Sequence, residues 1–600
     1  MTTLERRTKL IKNREITMKG VFLLSSIFSI FALVAICIFL FARGFPTIFK
    51  EIGFFDFIFG RTWHPQIEIF GIWPMILGSI YVTALTTLIG VTLGIFTAVF
   101  LFKFCPKKLV GVIRKVVNLM AGVPSILFGL FGIMVVVPFL ASISHTAMGE
   151  GILAASIILS IMILPTVVSI SLNALYAVPD TIYEGALALG ATKEQAVFKT
   201  VLPAAKSGVL TAVVLSIGRA IGETMAVIMV VGQSSRIPTD ILQPINTMTA
   251  TIASGALEVD GLHFEALIAI GVVLFIFTLV LNAGFSFFKT KGTRKNKKKE
   301  QEKEVELQAT DVGKRKFSFF GLKFGFSKTS NKIKTVISYV CTFCALAAIF
   351  GIIFFILQRG LPYLSFNFIF GEYSLDSPTL INSIAGTFYL IFIGIAIAAP
   401  IGIATAIFLS EYASKSKLIR YIRIAIETLA GIPSIVYGLF GYVLFVVTFG
   451  WGYSLLGGGI TLSIMILPMV IRTTEESLLS VPDMHREGSF ALGASKVRTT
   501  FRIVLPQAAG GIVSSLILAI GRIVSESAVL LLTIGMLVNT MPDSAMSPGT
   551  SLALDVYYLG SHGFPKHAAA TGAFLLIFVM GLNLLATLIG KLLTKGKGKK

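Results

Sequence analysis

The chain has 600 residues, of which 55% are hydrophobic and only 14% are charged, and its mean hydropathy is +0.86. Soluble domains carry about 25% charged residues, so this composition excludes a soluble protein and indicates one that crosses a membrane many times. The net charge of +21 does not indicate nucleic-acid binding, because the excess Lys and Arg lies mainly at the two chain ends and in one central stretch. Cytoplasmic segments of membrane proteins collect positive charge in this way.

Twelve apolar runs are each long enough to cross a bilayer, for which about 20 residues are needed. Six lie in the first half of the chain, near 20–42, 76–102, 112–141, 151–174, 208–233 and 265–288. Six more lie near 335–357, 380–410, 418–449, 456–479, 510–538 and 570–593. They predict an all-α integral membrane protein with two six-helix halves, 1–288 and 335–600, joined by a basic linker at 289–334.

The distribution of Lys and Arg predicts the orientation of the chain. The N-terminus, the loop after the second run, the linker and the C-terminal tail are all rich in these residues, and they share one side if every run spans. Because positive loops stay inside, we expect both termini and the linker to be cytoplasmic.

The two halves repeat one another in the same orientation. Gly94–Leu101 (GIFTAVFL) matches Gly402–Leu409 (GIATAIFL), and Ala121-Gly-Val-Pro-Ser125 matches Ala430-Gly-Ile-Pro-Ser434. Parallel repeats predict a pseudo-two-fold axis along the membrane normal, with any pathway lined by equivalent helices. We expect Pro124 and Pro433 to break helices near that pathway, where irregular backbone is tolerated.

A polar loop follows the fourth run of each half. Glu184-Gly-Ala-Leu-Ala-Leu-Gly190 in the first half matches Glu487-Gly-Ser-Phe-Ala-Leu-Gly493 in the second, and Val-Leu-Pro follows both. A Val-Pro-Asp before each segment predicts a helix start, and the glycine predicts its left-handed end. Any loop between spans needs turns, but the same spacing twice favours a helix–turn–helix that a partner binds.

Two charged pairs lie inside apolar runs. Gly218-Arg219-Ala-Ile-Gly-Glu223 matches Gly521-Arg522-Ile-Val-Ser-Glu526. An Arg and a Glu four residues apart share one helix face, and charges at membrane depth usually face a cavity or a partner. We expect Arg219 and Arg522 to meet on the axis and hold an anion, with Glu223 and Glu526 restraining the arginines or repelling a fully deprotonated anion. The alternative is two intrahelical pairs that only neutralise themselves.

The sequence contains no G-x-x-x-x-G-K-[ST] segment, so no P-loop is predicted. The six His are scattered without ligand spacing, and we propose no metal site.

The repeated loops resemble the EAA loops of ABC-importer permeases, which dock on ATPase subunits. On that resemblance Glu184, Gly190, Glu487 and Gly493 belong to coupling loops, although Gly185 and Gly488 depart from the family motif. The Ala-Gly-x-Pro-Ser and Gly-Arg-x-x-[Gly/Ser]-Glu motifs resemble those of Pst-type phosphate-importer permeases. The first half looks like the C subunit, and the second, with Arg472-Thr-Thr-Glu-Glu476, looks like the A subunit.

The resemblance implies a type I ABC importer permease fold with both subunits fused in one chain, in the plasma membrane of a prokaryote. It implies a transport component and not an enzyme, with no cofactor of its own and ATP hydrolysed by two separate ATPase subunits. An extracytoplasmic phosphate-binding protein and membrane lipid are the other expected partners. Two alternatives stay open: a permease for another oxyanion (phosphonate, sulfate or molybdate), and an ion-coupled secondary carrier.

Overall fold

The structure is a computed structural model. It describes residues 12–144, 148–255, 261–282, 333–374, 377–413 and 417–589, and the backbone alone of helical residues 3–11, 283–303, 328–332 and 590–595 and of two short strands. Most of the predicted linker at 289–334 therefore lies outside the described residues.

The first half consists of fifteen helices and one small hairpin in the part of the chain that the structure describes. The helices are α1 (Thr3–Pro46), α2 (Phe54–Phe59), α3 (Trp73–Thr86), α4 (Thr92–Val99), α5 (Lys107–Met120), α6 (Ser125–Phe131), α7 (Val137–Ser144), α8 (Ile152–Tyr176), α9 (Asp180–Ala188), α10 (Lys193–Gln195), α11 (Leu202–Ala204), α12 (Lys206–Ile221), α13 (Met225–Ile228), α14 (Met248–Gly255) and α15 (Leu262–Lys303). Strands β1 (Trp63–His64) and β2 (Ile69–Phe70) pair antiparallel, with Trp63 opposite Phe70.

The linker contributes a second two-stranded antiparallel pair, β3 (Ser318–Phe319) and β4 (Leu322–Lys323). The helices of the second half are α16 (Lys328–Gly360), α17 (Phe366–Phe370), α18 (Ile381–Ile407), α19 (Lys417–Ala430), α20 (Ser434–Gly441), α21 (Leu455–Leu479), α22 (Asp483–Ala491), α23 (Lys496–Thr499), α24 (Leu505–Ser525), α25 (Ala528–Thr533), α26 (Leu552–Ser561) and α27 (Pro565–Lys595). Short π-helical turns extend several of these helices, for example Phe408–Tyr412 after α18.

Within the described residues, ten helical segments are long and apolar enough to cross a membrane. Two further pairs pass the same test together but are bent, Lys193–Ala204 with Lys206–Ile221 by 70° and Lys417–Ala430 with Ser434–Thr448 by 100°. Counting each bent pair as one span gives twelve, six in each half. The predicted all-α membrane fold is confirmed.

Proline breaks both copies of the third run, as predicted. Pro124 and Pro433 are the residues that precede α6 and α20, and each has an extended backbone with ψ near +140°. A proline lacks the N–H that a continuous helix would need at this point. The chain therefore turns at both Ala-Gly-x-Pro-Ser motifs.

The fifth and eleventh runs are shorter helices than the sequence predicts. The predicted spans at 208–233 and 510–538 instead end at Ile221 and Ser525, and the buried short helices α13 and α25 follow. These apolar stretches are buried inside protein, so they need no single membrane-crossing helix.

The first helix of each half packs on the other half. Helix α1 contacts α15 of its own half but also α18, α19 and α20, and the Phe39 and Phe440 rings meet at 6.1 Å. Helix α16 packs against α4 and α6 of the first half, where Phe100 and Tyr339 stack edge-on at 4.7 Å. One apolar core consequently runs through both halves.

Candidate functional site

A cavity of about 210 Å³ lies between the two halves, where α12 and α24 end. Both predicted charged pairs line it. The other polar side chains of the lining are Asn118, Ser125, Ser434, Ser525 and Asn583. The structure thus brings Arg219, Glu223, Arg522 and Glu526 together at one place, near the proline breaks of both halves.

In the first copy, Arg219 occupies the last turn of α12. Its Nη1 donates a hydrogen bond to the Thr166 hydroxyl of α8 at 3.1 Å. Glu223 lies beyond the end of the helix, where its Oε1 accepts a long 3.5 Å hydrogen bond from the Ala226 N–H. Among the described residues, no ion pair joins Arg219 to Glu223.

In the second copy, α24 continues to Ser525 and the pair forms. Arg522 Nη2 lies 3.4 Å from Glu526 Oε2, and the two side chains are 50% and 8% exposed. The Ser434 hydroxyl and the Val529 N–H lie beside the Glu526 carboxylate and favour its charged form. The Arg522 guanidinium therefore lies open to the cavity while its partner is buried.

The prediction that both pairs share one helix face is wrong for the first copy. Helix α12 ends at Ile221, one position earlier in the repeat than α24, and Glu223 lies outside the helix. A glycine stabilises a helix less than serine does by several tenths of a kcal/mol, and Gly222 stands where the second copy has Ser525. The alternative geometry, an Arg–Glu ion pair within one copy of the motif, is found in the second copy only among the described residues.

The four charged groups give the cavity the chemistry of an anion site. Arg219 and Arg522 are near enough to repel each other electrostatically, and Glu223 and Glu526 also interact. Guanidinium groups bind oxyanions through paired N–H donors. A tetrahedral anion between the arginines would relieve their mutual repulsion.

In each half, an asparagine of the last helix lies against the Ala-Gly-x-Pro-Ser motif of the other half. A side chain added at Gly122 would collide with the Asn583 amide of α27, and one added at Gly431 would collide with the Asn282 amide of α15. Asn583 lines the cavity, and sequence reasoning missed it. The feature that could have identified Asn583 is its polar amide side chain within the apolar run at 570–593.

The repeated loops fold as predicted. Helices α9 and α22 begin directly after Pro179 and Pro482, and Gly190 and Gly493 follow their ends with φ of +82° and +76°. This left-handed conformation favours glycine. Pro179 and Pro482 occupy the N-cap positions, and neither helix has a side-chain cap.

The outer surface of both loops is open. Glu184 and Glu487 are exposed, and a side chain added at Gly185 or Gly488 would meet nothing within 4 Å. Leu189 and Leu492, which sequence reasoning missed, are each 91% exposed at the tip of the turn. The two leucines occupy equivalent positions of the repeat, so both loops present the same apolar side chain to the outside.

A polar cavity between two parallel repeats of membrane helices, with a matching exposed loop on each repeat, is the arrangement of a membrane transport protein. The chain belongs to the family of binding-protein-dependent transport system inner membrane components, whose model matches it twice, at residues 90–291 and 398–599. It is therefore a multi-pass transport component of the inner membrane. The two matches confirm the predicted repeat.

Curated relatives match one or both halves. The chain is 28% identical over 537 residues to the phosphate transport system permease protein PstA homolog of Mycoplasma pneumoniae, covering 81% of each protein. It is 36% identical over 249 residues to the phosphate transport system permease protein PstC of Mesorhizobium japonicum, covering 38% of this chain and 76% of that protein. The resemblance drawn from the motifs is confirmed.

Among solved structures, the chain is similar to inward-facing conformations of the MetNI methionine ABC transporter. The identity is 22%, the match covers 35% of this chain and 93% of that one, and the TM-score is 0.29.

Proposed function

We propose that this chain is the complete permease of an ATP-driven phosphate importer, with C-like and A-like permease subunits fused in one polypeptide. The cavity that holds Arg219 and Arg522 between the halves carries the proposal. Relatives of both halves are phosphate transport system permeases by name, which supports phosphate over phosphonate, sulfate and molybdate.

In the proposed mechanism, an extracytoplasmic phosphate-binding protein delivers phosphate to the cavity. The two guanidinium groups hold the anion, and Glu223 and Glu526 set their positions and disfavour a fully deprotonated anion. Rocking of the halves about the pseudo-axis exposes the cavity alternately to the two sides of the membrane.

The energy comes from two ATPase subunits that dock on the coupling loops, one on each half. Glu184 and Gly190 belong to the first docking surface, and Glu487 and Gly493 to the second. The exposed Leu189 and Leu492 side chains add apolar area to these surfaces that docking would bury. ATP is bound and hydrolysed by the partners, and this chain holds no cofactor.

Docking of cytoplasmic ATPases on these loops fixes the orientation. Both termini and the linker then lie in the cytoplasm, in agreement with the distribution of Lys and Arg. We propose the plasma membrane of a prokaryote as the location.

The test is phosphate uptake in a strain that lacks its own phosphate permease, with this chain, its ATPase and its binding protein co-expressed. The double variant Arg219→Gln/Arg522→Gln should abolish uptake without lowering the amount of chain in the membrane. Arg43→Gln is the matched control. The Arg43 guanidinium lies 2.8 Å from the Glu265 carboxylate, and neither residue lines the cavity. Uptake by this variant should be close to that of the wild type.

Other outcomes would redirect the proposal. Uptake by the double variant would show that the arginines are structural. Failure of the wild type with phosphate, but not with sulfate, molybdate or phosphonate, would replace the substrate. Undiminished uptake by Glu184→Lys/Glu487→Lys would favour an ion-coupled carrier that needs no ATPase.

A further inference from the structure

Each half carries a short phenylalanine-rich helix after its first span. The first aromatic segment is Phe55-Asp-Phe-Ile-Phe-Gly60, and the second aromatic segment is Phe366-Asn-Phe-Ile-Phe-Gly371. An Arg-Gly-x-Pro sequence precedes both, at 43–46 and 359–362. The segments fold as parts of α2 and α17, and no step of the proposed transport mechanism uses them.

Both aromatic segments lie on the face of the protein opposite the coupling loops, which extend over residues 178–203 and 481–506. Helix α1 starts beside the second loop, where Glu15 accepts a hydrogen bond from the Lys496 N–H at 2.9 Å. Helix α16 starts beside the first loop, where it contacts α10. Both helices are long enough to cross the membrane, so their other ends and the aromatic segments that follow lie at the far surface.

One phenylalanine of each segment attaches it to the next span. Phe57 and Phe368 are buried, and their carbonyl oxygens accept hydrogen bonds from the Ile72 and Leu380 N–H groups at 2.9 Å. Ile72 and Leu380 directly precede α3 and α18. Each aromatic segment is therefore fixed to the start of the second span of its own half.

The other two phenylalanines of each segment point away from the protein, one helical turn apart. Phe55 and Phe366 are 75% and 79% exposed, and Phe59 and Phe370 are 52% and 55% exposed. Residues four apart lie on the same helix face. Both halves thus present the same pair of phenyl rings to their surroundings.

The outward face of each first span leads into its aromatic segment. Large exposed apolar side chains recur every seventh residue along α1, at Leu24, Phe31, Ile38 and Phe45. A seven-residue spacing keeps them near one face, and in a span this face meets the acyl chains. Along α16 the corresponding exposed side chains are Phe343, Phe350 and Phe354.

Contacts between aromatic rings connect the outward face of α1 to the first segment. The ring centres of Phe45 and Phe49 lie 5.9 Å apart, and those of Phe49 and Phe54 lie 5.5 Å apart. Phe54 meets Phe55 at 5.4 Å, and Phe55 meets Phe59 at 6.2 Å. The exposed rings of the segment are consequently continuous with a surface that faces lipid.

Exposed charged residues on either side limit the depth of the segments in the membrane. Lys50, Glu51 and Arg61 flank the first segment, and Arg359 and Glu372 flank the second. Charged side chains near span ends reach for the headgroup region because hydrocarbon disfavours them. The phenyl rings between them therefore reach the boundary between headgroups and acyl chains.

We propose that the two aromatic segments are lipid anchors, whose exposed phenylalanines insert into the headgroup–acyl boundary of the leaflet opposite the coupling loops. Interfacial helices bury an apolar face about 5–10 Å into this region. Through the buried phenylalanine and the backbone bond, each anchor holds the start of α3 or α18 at that depth. The inference needs the chain to lie in a membrane and does not depend on its substrate.

The experiment measures quenching of tryptophan fluorescence by brominated phosphatidylcholine, with the full chain reconstituted in liposomes. The three native tryptophans are first replaced by phenylalanine at Trp63, Trp73 and Trp451. Phe55→Trp and Phe370→Trp then each introduce one reporter. We expect lipid brominated close to the headgroup to lower the emission of both variants at least about twofold, and lipid brominated near the chain end to lower it less.

Two matched variants calibrate the depth. Phe31→Trp, on the outward face in the middle of α1, should be quenched more by bromine near the chain end. Leu189→Trp, at a coupling-loop position that is more exposed than either anchor ring, should be quenched by neither lipid. Bromine quenching of the anchor variants no stronger than that of Leu189→Trp, with quenching by aqueous iodide instead, would place the rings in water, free for a protein partner, and would overturn the proposal.

Hydrogen exchange tests the attachment without a reporter. Phe55→Ser/Phe59→Ser should speed exchange of the Ile72 amide in liposomes about tenfold, because opening of the segment no longer removes two rings from lipid. The Leu380 amide of the unaltered second half is the internal control and should exchange as in the wild type. Unchanged exchange at Ile72 would show that lipid does not hold the segment.

Discussion

The two copies of the Gly-Arg-x-x-[Gly/Ser]-Glu motif have the same charged residues at the same spacing but different structures. In the second copy Arg522 and Glu526 form an ion pair at 3.4 Å. In the first copy Arg219 donates a hydrogen bond to the neutral Thr166 hydroxyl instead, and among the described residues no ion pair joins it to Glu223. The cavity therefore contains one arginine in an ion pair and one that is bonded to a neutral hydroxyl.

The difference shows how one small residue changes a repeated site. Ser525 keeps α24 helical and donates a hydrogen bond to the Gly521 carbonyl at 2.6 Å. Gly222 stands at the equivalent place, where α12 has already ended, and packs against Pro433 of the other half. The two helices thus end one repeat position apart, and an ion pair forms only in the copy with the longer helix, among the described residues.

The largest effect on phosphate uptake should come from substituting each of the two arginines separately. We expect Arg219→Gln to lower the initial rate of phosphate uptake about 100-fold and Arg522→Gln about tenfold, because a hydrogen bond to a charged group contributes about 1.5–3 kcal/mol and Arg522 is already partly neutralised. The rates are compared at equal amounts of chain in the membrane. Equal losses would mean that the two copies act alike despite their geometry.

Substitutions of the two glutamates should differ more in their effect on the stability of the chain than in their effect on phosphate uptake. Glu526→Gln removes the buried partner of Arg522 and should destabilise the chain by about 2 kcal/mol, less than the ~3–5 kcal/mol of a fully buried pair. Glu223→Gln should cost about 0.5 kcal/mol or less, since no ion pair is lost. Unfolding midpoints of the two variants in one detergent give the comparison, and the reverse order would contradict it.

The two equivalent asparagines test whether both halves contribute equally to substrate binding, because Asn583 lines the cavity and Asn282 is not part of its lining. Asn583→Ala removes an amide that lines the cavity, and uptake should fall about fivefold, in line with the ~1 kcal/mol of a neutral hydrogen bond. Asn282→Ala, at the equivalent place in the other half, should stay within about twofold of the wild type. Similar losses in both variants would show that Asn282 also contacts the substrate.

The smallest effect should come from exchanging the residues that end the helices. Gly222→Ser is compatible with the observed φ of −81° and a 3.4 Å approach to Pro433, and should stabilise the chain by about 0.5 kcal/mol. Ser525→Gly should destabilise it by about 0.5–1 kcal/mol. Thermal midpoints measured under one scan rate check both signs, and a destabilising Gly222→Ser would disprove the account of the helix end.

Local patterns were sufficient to predict the spans and the loops. Apolar length defines a membrane helix because the bilayer sets it, and the Pro and Gly residues that end helices do so through their own backbone. Pro433 and Gly493 are therefore readable from sequence. The meeting of Arg219 and Arg522 could be anticipated because the repeat implies an axis.

What depends on contacts between distant segments could not be predicted. The end of α12 after Ile221 follows an apolar stretch that reads as helix, and only burial against other helices makes the break possible. The Arg486–Glu411 pair joins residues of two different loops. The exposure of Leu189 depends on the direction of the turn at Gly190. The spacing of apolar residues in the sequence does not predict that direction.

The exchange of first helices between the halves has a consequence for biogenesis. Helix α1 leaves the ribosome before α18, α19 and α20, on which it packs, because the rest of the first half and the linker are synthesised between them. Until then the buried face around Phe22, Ser26 and Ser29 is open to lipid and to quality-control proteases. Because both halves belong to one chain, the surface that α1 needs is present at high effective concentration once the second half has been made.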